Sequence, residues 1–104
     1  MEQFTRAEAQ ACISEWAGRD GAVTLTCHAK TQMRERKIGS REVDRLLQFG
    51  ELRGELIQTD YGEWKCTVAS RPRDGRRVIA AVLILRVSGR LLVKTVHWDE
   101  QKLT

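Results

Sequence analysis

Two histidines, His28 and His97, are the side chains in this sequence best suited to exchange protons near neutral pH. Around them the cationic residues gather in two places. Lys30, Arg34, Arg36, Lys37 and Arg41 form one group, opposed locally only by Glu35. Arg71, Arg73, Arg76 and Arg77 form the other, opposed only by Asp74. A pair of imidazoles on one surface can serve as the acid and the base of RNA cleavage. One removes the proton of a 2′-hydroxyl as it attacks the adjacent phosphate, and the other protonates the departing 5′-oxygen. Arginines beside them would stabilise the charge that builds on the phosphorus-centred transition state, and the chemistry requires no metal. Each histidine can equally cap a helix or pack against it, and each basic group can be an ordinary solvated surface.

The wider composition fits a polyanionic partner. The chain has 104 residues, with 18 Lys+Arg against 14 Asp+Glu and a net charge of +4. Cationic side chains release counterions from a phosphate backbone, so such an excess favours nucleic acid. Half of the cations fall in the two clusters. Arginine dominates the second, and its planar fork suits bidentate phosphate contact. Lys65 and Arg71 should project from one face of their strand, and Lys94 can extend the basic surface. Tyr61, in an expected turn, is a candidate for stacking on a base. Trp16, Trp64 and Trp98 are better read as core residues.

Other chemistries lack their residues. There is no Gly-rich phosphate loop, no G-x-S-x-G elbow and no H-E-x-x-H. Cys12, Cys27 and Cys66 are odd in number and far apart, so neither a zinc ribbon nor a disulfide framework is indicated. No metal site and no cofactor is expected. That cysteine usage suits a reducing cytoplasm, which is the expected location. Charges at Glu2, Arg6 and Glu8 interrupt any leader-like stretch, and the apolar run from Val78 to Leu85 is too short to span a bilayer. No association with a membrane is expected.

The elements that must position these residues can be read from periodicity. Thr5 and Glu8 make a capping box, and Ala9, Cys12, Ile13, Trp16 and Ala17 recur on one helical face until Gly18, which can stop the helix in the left-handed conformation. Val23 to Thr26 alternates as a short strand or an extended connection. A second helix over about 27–37 has a thin apolar stripe of Ala29 and Met33 and carries Lys30, Arg34 and Lys37 on one edge. Gly39 breaks it. Ser40 caps a third helix whose buried face is Val43, Leu46 and Leu47, and Gly50 ends it.

Beyond Gly50 the period becomes that of strands. Four segments follow, about 51–59, 63–71, 76–86 and 90–98, separated by the turn chemistry of Asp60-Tyr61-Gly62, Pro72-Arg73-Asp74-Gly75 and Ser88-Gly89. Such short connections demand antiparallel hairpins. The apolar segment 76–86 should be central and covered on both faces. The expected fold is α+β, a single domain with helices packed on one face of a four-stranded antiparallel β-meander.

Cys27-His28-Ala29, Met33-Arg34-Glu35-Arg36-Lys37-Ile38, Ser40, Glu42-Val43, Leu46-Leu47 and Gly50 together resemble a motif of small bacterial domains of unknown function. That group is classed with the RelE/ParE, BrnT and MqsR-like toxins. Val78-Ile79-Ala80-Ala81-Val82 and Leu91-Leu92-Val93-Lys94-Thr95-Val96 resemble its closing strand pair. The resemblance covers about 25–98, with residues 1–20 as an added N-terminal helix. It implies a RelE-like toxin fold and the toxin of a bacterial toxin–antitoxin pair. It also implies a metal-independent endoribonuclease acting on mRNA, including ribosome-bound mRNA, and silenced by a cognate antitoxin of zinc-ribbon type. His28, Arg34 and Arg36 match the motif. His97 stands where the family often has tyrosine. The alternatives are a non-catalytic nucleic-acid or protein-binding module and a ParE-like gyrase inhibitor, because one fold hosts several functions.

Overall fold

A computed structural model describes residues 4–70 and 76–100. Three helices and five strands follow in the order α1 (Arg6–Ala17), β1 (Val23–Leu25), α2 (Cys27–Arg36), α3 (Ser40–Phe49), β2 (Glu51–Gln58), β3 (Trp64–Ala69), β4 (Arg76–Leu85) and β5 (Arg90–Glu100). The protein is α+β with a mixed sheet.

The sheet order is β1-β5-β4-β3-β2. Strands β2 to β5 pair antiparallel in succession, as the short connections require. The sheet nevertheless has five strands, not the four expected. Val23–Leu25 pairs parallel with β5 from Leu91 to Val93, an arrangement possible because two helices and three strands separate the partners. β4 is central by position, and its two sides are buried to different depths. Val78, Ala80, Val82 and Ile84 point into a single core shared with all three helices. On the other side Ile79 and Ala81 are half-buried and Arg77 and Leu83 are each 7% exposed, outside the core that the helices share.

The helices follow their local signals with three exceptions. Thr5 caps α1, accepting from the Glu8 amide at 3.1 Å, and Glu8 reaches back to the Thr5 amide. Gly18 ends α1 in the right-handed rather than the left-handed conformation. α2 stops at Arg36, one residue short of the expected end, because Lys37 takes the left-handed conformation at φ 56° and hands its amide back to the last turn. The third exception is the cap of α3. Gly39, not Ser40, is the cap residue, and the Glu42 carboxylate accepts from its amide at 3.4 Å. Gly50 is demanded by packing. A Cβ there would lie 2.3 Å from the Leu46 carbonyl and 2.8 Å from that of Ala69, so only glycine lets β2 leave α3 and run against β3.

Both edges of the sheet are closed by helix side chains. From α1, the Arg6 guanidinium donates to the Gly54 and Leu52 carbonyls. Gln10 donates to the Gly50 carbonyl at 2.9 Å and accepts from the Leu52 amide at 2.8 Å. On the opposite edge β1 ends after three residues and α2 takes over its partner.

Candidate functional site

α2 has too little apolar surface to hold itself. Only Ala29 and Met33 are buried on it. The deficit is met by hydrogen bonds to the free edge of β5. Thr26 caps α2 by accepting from the Ala29 amide at 3.1 Å, and its hydroxyl also donates to the Lys94 carbonyl at 3.1 Å. Gln32 accepts from the Val96 amide at 2.8 Å. The Trp98 indole donates to the Arg36 carbonyl at 2.8 Å. The helix therefore runs alongside β5 from Lys94 to Trp98, replacing the ladder that β1 begins.

This docking decides where the candidate residues go. His28 lies one turn before Gln32 on the same helix stripe, between the attachments at Lys94 and Val96. It is exposed. His97 follows Val96 on β5, is half-buried, and points to the face opposite the helices, because Val96 itself is fully buried in the core. His28 is thus carried by the helix that docks on this stretch of β5, and His97 by the strand itself. Arg36, a further turn along from Gln32, ends the same stripe beside Trp98. Arg34 is elsewhere. At 3.6 residues per turn it sits about a third of a turn round the helix from His28, with Lys30 on the far side altogether. Lys30, Arg34 and Lys37 are exposed on that outer flank, whereas Glu35 shares the flank of His28.

The second basic cluster divides differently. Arg71 and Arg73 lie outside the described residues, and of Arg76 only its backbone pairing with Glu100 is described. Arg77, expected on an exposed basic surface, is 7% exposed, and its Nε donates to the Asp99 carboxylate at 3.0 Å. A guanidinium held this way is committed to its carboxylate rather than free to reach a phosphate. Lys65 is exposed on the helix-free face, and Lys94 is exposed where the β4–β5 register slips between Ala81 and Val82. Tyr61 is 90% exposed in the β2–β3 turn, as its turn residues suggested. The tryptophans pack on the core, Trp64 against Phe4 with ring centroids 5.4 Å apart.

Arg53 belongs to this surface as well, although it lies outside both basic clusters of the sequence. Arg53 is exposed on β2 and registers with Thr67, which registers in turn with Ala81 and then Thr95. Its alternation with the buried Leu52 was the available signal.

Burial raises the Cys66 thiol from 9.0 to about 11, and burial also raises Cys12, so both remain neutral thiols at physiological pH. Cys27 is exposed beside His28. Among the described residues no group of three or more His, Cys, Asp or Glu side chains is placed to hold a metal ion. No described helix is long and apolar enough to cross a membrane.

A fold of this kind, a single mixed sheet with the described helices packed on one face and an imidazole-bearing helix docked on its edge, defines a small α+β domain. The family model described as Domain of unknown function (DUF4258) matches residues 25–98. The chain belongs to that family. The match takes in everything from the end of β1 to Trp98 and leaves α1 outside it. No curated protein and no solved structure matches the chain.

Proposed function

We propose that the chain is the toxin of a bacterial toxin–antitoxin pair with a RelE-like fold, acting as a metal-independent endoribonuclease on mRNA. The observation that carries the reading is the docking of α2 on β5 through Thr26 and Gln32, which brings the helix that bears His28 alongside the strand that bears His97. In this mechanism one imidazole takes the 2′-hydroxyl proton and the other protonates the 5′-oxygen as the chain breaks. The products are a 2′,3′-cyclic phosphate and a 5′-hydroxyl. Arg36, on the stripe shared with His28, is the arginine placed to meet the phosphate. Arg34, with Lys30 and Lys37, serves as an outer contact to RNA or to the ribosome. The cognate antitoxin, of zinc-ribbon type, silences the toxin by covering these cations. The cytoplasm is the compartment that this substrate requires.

Inducible expression with RNA profiling tests the reading, with and without a neighbouring antitoxin gene. Growth arrest with new mRNA 5′ ends, absent in the His28→Ala/His97→Ala double variant, is the expected result. Arrest with intact RNA and failed supercoiling would place the protein with gyrase inhibitors instead. Salt-sensitive RNA binding without cleavage would make it a binding module.

A further inference from the structure

We infer that the helix-free face of the sheet is a track for single-stranded RNA, entered at Arg53 and Lys65 and leading to His97. The inference rests on the nuclease reading above and assigns the surface along which its substrate lies. Strand register sets out the rows of this face. One runs Arg53, Thr67, Ala81, Thr95 across β2, β3, β4 and β5. The next runs Glu51, Ala69, Ile79, His97, and on the other side lies Ile57, Lys65, Leu83, Leu92. Beyond Arg53 its row carries only the short side chains of Thr67, Ala81 and Thr95, with Ile79 and Leu83 flanking it on β4.

Side-chain size, charge and span along that row select the ligand. Thr67, Ala81 and Thr95, all half-buried, leave a shallow row on which planar bases can lie, and the two threonines add hydroxyls able to bond to phosphate or ribose. A duplex keeps its bases stacked inward and would meet such a floor only with its backbone. The cations are available. Arg53 and Lys65 are exposed and, among the described residues, have no ion-pair partner, whereas Arg77 on the same face is neutralised by Asp99. From Arg53 to Thr95 is three strand spacings, about 14 Å, long enough for a few nucleotides but not a helical turn of duplex. Glu51, exposed at the far end of the His97 row, repels phosphate there and keeps the strand on the row of Arg53.

The test uses the full chain and a fluorescein-labelled 2′-O-methyl RNA oligonucleotide, which binds without being cut, read by anisotropy across a salt series. A hairpin RNA of equal charge is the comparison. Wild type should prefer the single strand. Arg53→Glu/Lys65→Glu should weaken single-strand binding at least tenfold and lower the slope of log K against log salt by about 1.4, as for two lost phosphate contacts. Lys30→Glu/Arg34→Glu, on the outer flank of α2, should weaken it less. Thr67→Leu raises the floor without changing charge and should also reduce single-strand affinity. Both charge variants should keep the wild-type circular dichroism, since the residues replaced are exposed. Unchanged affinity in Arg53→Glu/Lys65→Glu, with the loss falling on Lys30→Glu/Arg34→Glu, would overturn the track while leaving the nuclease reading standing. If wild type binds neither RNA and cuts none, the nuclease reading fails and the track with it.

Discussion

α2 and α3 are equal in length, ten residues each, and are held in opposite ways. α3 presents Val43, Leu46 and Leu47, all at or below 1% exposure, to the core over β3 and β4. α2 buries only Ala29 and Met33 and is fastened to β5 by Thr26, Gln32 and the Arg36 carbonyl. The difference teaches where this molecule keeps its stability and where it keeps its reactive groups. A broad apolar face leaves little of a helix free for other work. A helix pinned by a few directional hydrogen bonds can leave both flanks polar, one with His28 and the other with Lys30 and Arg34.

The comparison breaks most visibly in the core. Leu46→Ala should destabilise the protein by about 2–5 kcal/mol in urea unfolding, through lost transfer energy and the cavity left under α3. If it costs no more than a surface change, α3 is not the anchor. Alkaline titration acts on the same core. The Cys66 thiol titrates near 11 in the folded chain against 9.0 in a model thiol, because burial disfavours the thiolate. Its contribution is therefore fully present below pH 9 and is lost as pH rises through 11, an effect of about 2–3 kcal/mol. Cys66→Ala should lack that loss, and an identical pH profile in the variant would refute the assignment.

On the α2 side the effects are smaller and local. Gln32→Ala leaves the Val96 amide without its acceptor and should cost about 1–3 kcal/mol. Amide exchange should quicken at Val96 while the partners of α3 stay protected, and uniform quickening would mean that the two helices form one unit. Lys37→Gly should stabilise by about 1 kcal/mol, since Lys37 holds a left-handed conformation that glycine adopts without steric cost. A loss of stability there would point to a contact of the lysine side chain.

The same contrast explains what could be read from the sequence. The face of α3, the capping box at Thr5 and Glu8 and the boundaries of β2 and β4 are local patterns, set by residues a few positions apart. Gly50 was legible as a stop, though not its second reason, the approach of the Ala69 carbonyl. The parallel pairing of Val23–Leu25 with Leu91–Val93 left no local trace, because its partner lies nearly seventy residues on. Lys37 ends α2 one residue short of the expected bound by adopting a conformation that its residue type disfavours. Arg77 looked like part of an open cluster because its partner, Asp99, arrives only when β5 pairs with β4. His28 and Arg34 looked like neighbours in a motif, yet helix geometry sends them to different flanks.

The most direct test of the nuclease account is incubation of purified protein with a defined single-stranded RNA in excess chelator, with the product ends mapped chemically. The account predicts 2′,3′-cyclic phosphate and 5′-hydroxyl ends, formed by wild type and reduced at least a hundredfold in His28→Ala and in His97→Ala. Intact RNA, or cleavage that survives loss of both imidazoles, would contradict it.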